Sequence, residues 1–132
     1  MQLVRKREHA AIVGEFLRTV PRSKVFITDF ALHSIMILMK RHGQLNDFPT
    51  FARELGLNND SMVVGIPTHQ LPAIIPVVQS FRLDLDDAYQ YAAAELHNLN
   101  LISLDVDFDR TPRGRLTPEH ALQQFRDEEK KL

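Results

Sequence analysis

The chain has 132 residues, with 16 Lys+Arg against 17 Asp+Glu, a net charge of −1 and no cysteine. That length suits one domain with a real core, and the balanced charge leaves no global basic footprint, so any nucleic-acid contact has to be local. The absence of cysteine excludes a disulfide framework, thiolate zinc sites and a cysteine nucleophile. With no apolar run near the ~20 residues of a bilayer span and no signal-peptide core, the expectation is a cytoplasmic domain without membrane attachment.

Residues 1–23 read as an N-terminal helix, charged at first around His9. Val13, Phe16, Leu17 and Val20 then form an i, i+3, i+4, i+7 stripe that Pro21 ends. The β-prone run Val25-Phe26-Ile27 predicts a strand over 24–28, and Thr28 or Asp29 caps an apolar helix over 30–41 that Gly43 stops. Met36 and Met39 in that helix are core filler rather than metal ligands. A shorter helix over 46–55 closes at Gly56. A second strand over 61–66 lies between Asn58-Asn59-Asp60 and Pro67. Residues 70–81 are helical in pattern but hold Pro72 and Pro76, one of which has to sit in a first turn or mark a kink.

A helix over 85–96 follows, with Asp84 as N-cap, an apolar face of Leu85, Ala88, Tyr89, Ala92 and Leu96, and Asn98 or Asn100 as its stop. The apolar run 99–104 predicts a strand buried on both faces, and Thr117 with Pro118 opens a closing helix. This order predicts a single α/β domain of three layers, α/β/α and Rossmann-like, with a small parallel sheet flanked by helices. Its parts are the helix 1–23, a sheet-and-helix core 24–110 and a C-terminal loop and helix 111–132. Three strands make a narrow sheet, and α/β chains commonly place their first strand in the middle; a further strand ahead of Met1 is therefore expected.

Chemistry concentrates in the acids. Asp86 and Asp87 open the 85–96 helix, and Asp105, Asp107 and Asp109 follow the 99–104 run. Ligand sites in parallel sheets lie outside the carboxyl ends of strands, so Asp105 is expected to face the helix start and hold a divalent cation with it. Alternatively the acids at the helix start only favour its dipole, by about 0.3–1 kcal/mol each. The spacing of Asp105, Asp107 and Asp109 does not make a calcium loop, since Arg110 stands where Gly is needed and Leu116 where the bidentate Glu is needed. Arg110, Arg113 and Arg115 are candidates to hold a phosphate group; the competing expectation pairs them with the neighbouring aspartates. No histidine pair has ligand spacing, and His33 alone lies near the acids. Tyr89 and Tyr91 suit packing better than base stacking. No glycine-rich phosphate loop supports an unrelated nucleotide-binding domain.

The block Asp87-Ala88 followed by Ser103-Leu104-Asp105-Val106-Asp107-Phe108 resembles the C-terminal half of PIN domains, and residues 25–39 resemble that family's second strand and following helix. The resemblance implies a Mg²⁺- or Mn²⁺-dependent ribonuclease of the VapC-like kind, a toxin of a toxin–antitoxin pair, acting as a homodimer and held by an antitoxin protein. It implies Asp87 and Asp105 as metal ligands, with Asp107 beside them. The family's opening strand, ending Asp-Thr/Ser-Asn, has no match before His9. Its Thr-x-x-Glu also has none, since Ala31-Leu32-His33-Ser34 stands there; Asp29 is the nearby substitute. Two of the four usual carboxylates thus lack counterparts, and the second expectation is a catalytically incomplete PIN-fold module that binds protein or RNA.

Overall fold

The computed structural model describes residues 2–56 and 62–131, with side chains from residue 11 onward. Helix α1 (Gln2–Thr19) stops before Pro21, and a single 3₁₀ turn at Arg22–Lys24 delays the first strand, so β1 is only Ile27–Thr28. Thr28 caps α2 (Asp29–Arg41) by accepting the Ala31 N–H at 3.0 Å, and Gly43 follows with φ +68°. The helix expected over 46–55 is divided into a 3₁₀ turn at Leu45–Asp47 and α3 (Phe48–Glu54). Strand β2 (Val63–Val64) pairs in parallel with β1, Ile27 opposite Val63 and Thr28 opposite Val64. The Asn58-Asn59-Asp60 turn and Ser61, at the start of the expected second strand, lie outside the described residues.

The two prolines of the next segment have different settings. Pro72 lies in a 3₁₀ stretch, Thr68–Ala73, whereas Pro76 occupies the first turn of α4 (Ile74–Phe81), where its missing N–H leaves no helical bond unmade. Arg82 ends α4 in the left-handed conformation, φ 53°. Helix α5 (Leu85–Leu96) starts at Asp84, whose carboxylate accepts the Asp87 N–H at 2.9 Å, and Asn98 adopts φ 52° just beyond its end. Helix α6 (Pro118–Lys130) is capped by Thr117 and packs against α1.

The core has two parts. Phe16, Val20, Ala121, Leu122 and Phe125 join α1 to α6, while Ile74, Leu83, Ala88, Tyr91 and Phe108 join α4 and α5 to the turn after residue 103. The parallel sheet flanked by helices is thus α/β, as expected, but narrower. The strand expected over 99–104 does not form. Ile102 makes one isolated parallel bridge to Leu116, and Ile102 and Leu104 are 38% and 44% exposed rather than buried on both faces. The reason is geometric: among the described residues this segment has an extended neighbour on one side only. On its other side a cleft of about 520 Å³ separates it from β1, and a ladder cannot propagate across that space. Ser103 also turns its hydroxyl back to accept the Asp105 N–H at 3.0 Å, which ends the extended run.

Candidate metal centre

The acidic site is assembled from a helix start and a turn. Asp87 lies in the first turn of α5, held there by the Asp84 cap. Asp105 caps a 3₁₀ turn, Val106–Arg110, by accepting the Asp107 N–H at 2.9 Å, and Phe108 anchors that turn in the core at 2% exposure. These bonds hold the two elements locally, and the shared core of Ala88, Tyr91 and Phe108 brings Asp87, Asp105 and Asp107 together, with one carboxylate oxygen of each within 4.8 Å of the others. At 4.8 Å two unit negative charges repel by about 3 kcal/mol at an effective dielectric near 20. Burial first, then the charges of Asp84 and Asp105, push the Asp87 carboxyl up from its ordinary 3.8 to about 6. The cluster therefore holds a proton more tightly than separate carboxylates would. A cation can take the place of that proton, and all-oxygen donors suit a hard ion such as Mg²⁺ or Mn²⁺.

Asp29 has another setting. Its carboxylate accepts the Tyr89 hydroxyl at 2.8 Å and lies against Gly65, where an added Cβ would stand 2.9 Å from its Oδ2. The Tyr89 hydroxyl also accepts the Ile66 N–H at 3.1 Å, and burial pushes its pKa up. Asp29 thus ties α2 to α5 and to the residues after β2, and it is not among the three clustered carboxylates. His33 is likewise outside that group.

The three arginines bond to the protein's own surface, Arg110 and Arg113 exposed and Arg115 half-buried. Arg110 donates to the carbonyls of Phe81 at 3.1 Å and Arg82 at 2.8 Å, at the end of α4, and pairs with Asp107 at 3.1 Å. Arg113 donates to the Leu99 carbonyl at 3.1 Å. Arg115 pairs with Asp109 at 3.2 Å and donates to the Ser103 carbonyl at 3.1 Å. Arg110 and Arg115 brace the acidic turn, and Arg110 offsets part of its charge. Asp84 is the neighbour that reasoning from the sequence treated only as a cap; its i, i+3 spacing from Asp87 was the available sign that the two charges also couple.

Fold and site together define an α/β domain with a carboxylate cluster between a helix start and the turn after an extended segment. The chain belongs to the PIN domain family, whose model matches residues 1–114, and this is a nuclease-type superfamily. No curated protein and no solved structure gives a match. Among the described residues, no helix is long and apolar enough to cross a membrane.

Proposed function

We propose that this PIN-family chain is a metal-dependent endoribonuclease, the toxin-like partner of an antitoxin protein, working in the cytoplasm on RNA. The whole chain is read as one domain. The observation that carries this reading is the convergence of Asp87, Asp105 and Asp107 within 4.8 Å. Asp87 and Asp105 would hold Mg²⁺ or Mn²⁺, with Asp107 as a further oxygen donor. Such an ion supplies an activated water and neutralises charge that develops on the phosphate. The chain's own residues contribute position and polarity. Phe108 fixes the turn, Asp105 orients it through the Asp107 N–H, and Arg110 limits the repulsion that Asp107 adds.

A homodimer is part of this reading. Support comes from apolar side chains left in solvent on α2 and near α4, including Ile37 at 54% and Ile75 at 56% exposure. Arg110 and Arg115 already spend donors on carbonyls and on Asp107 and Asp109, so their share in RNA binding is expected to be small, whereas Arg113 donates its side chain to the Leu99 carbonyl alone and keeps donors for phosphate.

A second reading has its own support. With Asp29 engaged by Tyr89, three clustered carboxylates remain, fewer than the family's usual four. That favours a PIN-fold module that binds RNA or protein without cleaving it. Cleavage of a labelled single-stranded RNA in Mn²⁺ by wild type, and its loss in Asp105→Asn with the fold intact by circular dichroism, supports the nuclease. RNA binding without cleavage at any divalent concentration supports the module.

A further inference from the structure

A second cavity, of about 270 Å³, lies between residues 99–101, the end of α5 and the loop that leads to α6. Arg113 and Arg115 stand in its walls, and among the described residues no acidic side chain and no residue of β1 or β2 lines it. Gly114 shapes the loop between the two arginines. It takes φ +64°, a conformation that favours glycine, and its N–H is accepted by Thr111 Oγ1 at 3.0 Å. The cavity shares no wall residue with the acidic cluster: it lies beside the start of the 99–103 segment, and Asp105 lies beyond that segment's end.

Tyr91 is the wall residue that calls for a ligand. It is 3% exposed, and among the described residues its hydroxyl makes a single bond, accepting the Arg113 N–H at 3.4 Å. That bond is long, and it leaves the hydroxyl's own hydrogen without an acceptor, which a buried tyrosine ordinarily finds. The ring is fixed by its core packing and by an edge contact with Phe81 at 5.8 Å, so the hydroxyl cannot swing away to seek one. Further donors surround it. Arg113 is exposed and spends one guanidinium N–H on the Leu99 carbonyl at 3.1 Å, which leaves the rest of its fork open. The Asn100 side chain is exposed at the rim. Arg115 is matched by Asp109, so the charge that the cavity keeps is that of Arg113. An apolar ligand would leave Tyr91 unmet, and a neutral water would leave the charge unmet. An anion with several acceptor oxygens answers both.

We infer that this cavity binds a phosphate group, carried by a small monoester or by the end of an RNA chain. The Tyr91 O–H and the Asn100 amide donate to its oxygens, and Arg113 supplies a guanidinium fork and the opposite charge. The volume falls just below the about 300–1,000 Å³ of pockets for drug-sized ligands, so it suits the phosphate and a part of what bears it. This inference does not depend on the acidic site.

The test uses the whole chain in EDTA, which keeps metal from the acidic cluster. The probes are inorganic phosphate, uridine monophosphate, and one short oligoribonucleotide ending in either a phosphate or a hydroxyl. Backbone amides and the Arg113 Nε–H are followed by NMR at constant ionic strength. Inorganic phosphate is expected to shift the amides of residues 99–101 and 113–115 and the Arg113 Nε–H saturably, and acetate to leave them in place. Tyr91→Phe keeps the ring and removes only the hydroxyl; it should weaken phosphate binding about tenfold, and Arg113→Gln at an exposed position by at least as much. If the phosphate-ended oligoribonucleotide binds more tightly than the hydroxyl-ended one, and Tyr91→Phe erases the difference, the inference holds with an RNA end as the source. If uridine monophosphate binds as well as the phosphate-ended chain, it holds with a free monoester as the source. No saturable shift at these residues, an equal response to acetate, or unchanged phosphate affinity in either variant with a wild-type far-ultraviolet spectrum overturns it.

Discussion

Replacing Asp87 by Asn should make the metal-free protein more stable and the metal-loaded protein less responsive. Native Asp87 titrates near 6 against 3.8 when unfolded, so the folded state holds the proton more tightly. Below pH 3.8 both states are protonated and the group costs nothing. Between 3.8 and about 6 the unfolded state loses its proton first, so stability falls as pH rises, and above 6 the penalty is complete. The full shift corresponds to an upper bound of about 3 kcal/mol at ~1.4 kcal/mol per pKa unit. Asp87 is only partly buried, and screening by solvent reduces this to about 1 kcal/mol. Asn keeps the backbone N–H that Asp84 accepts, adds a side-chain donor for the neighbouring carboxylates and removes the charge.

In EDTA at pH 7.5, Asp87→Asn is therefore expected to gain about 1 kcal/mol, or roughly 3–5 °C in Tm for a domain of this size. The gain should vanish at pH 3.5. If the wild type binds Mg²⁺ with a Kd of about 1 mM, then about 10 mM of the ion stabilises it by about 1.4 kcal/mol, and Asp87→Asn by far less. Thermal and urea unfolding followed by circular dichroism at both pH values, with and without Mg²⁺, measures all of these quantities. A variant less stable than wild type in EDTA at pH 7.5, or a gain that does not change with pH, would refute the reasoning from charge repulsion.

Four further outcomes are expected. Below pH 6, Mn²⁺ affinity should fall by up to about tenfold per pH unit, because the ion and the Asp87 proton compete for one place; isothermal titration at pH 5, 6 and 7 would reveal a flat profile if they do not. Phe108→Ala should lower stability by about 3–5 kcal/mol and disperse the acidic cluster, seen as lost metal-induced shifts even in whatever fraction remains folded. Gly65→Ala drives a Cβ into the Asp29 carboxylate, so it should cost about 1–3 kcal/mol in urea unfolding, and most of that cost should disappear in the Asp29→Ala background. Arg110→Gln should lower stability by about 1–3 kcal/mol through the freed Phe81 and Arg82 carbonyls, while the salt slope of RNA binding stays within ~0.3 of wild type; a slope reduced by about one would give Arg110 a phosphate contact.

Much of the local structure can be read directly from particular residues. Thr28, Asp84 and Thr117 each accept a backbone N–H three residues on, as their type and position predict, and Asn98 takes the left-handed conformation that follows α5. Caps and stops are legible because one residue and its near neighbours decide them. The 99–104 run is the opposite case. Its composition is that of a buried strand, yet whether it becomes one depends on neighbours on both sides, and among the described residues only the Leu116 side is filled.

The acids divide in the same way. That Asp87 lies in a helix's first turn and Asp105 just beyond an extended run follows from sequence alone, whereas the 3₁₀ turn that Asp105 caps does not. That the two lie together with Asp107 depends on how α5 packs against the turn that holds Phe108, and that Asp29 turns to Tyr89 some 60 positions along the chain depends on how α2 and α5 pack. Pairing of Arg110 with Asp107 and of Arg115 with Asp109 is the expectation that sequence offers, whereas the carbonyls the arginines reach have no sequence sign, because a guanidinium donates to any nearby carbonyl and long-range folding chooses which one.

Sequence by itself therefore determined where helices lie, the caps at Thr28, Asp84 and Thr117, the parallel α/β character and the family, since periodicity, capping residues and short motifs act over a few positions. Only the tertiary structure decided which carboxylates share a site, which arginines are occupied and where the sheet stops. Those outcomes depend on distances between segments far apart in the chain, and such distances are fixed by packing rather than by local preference.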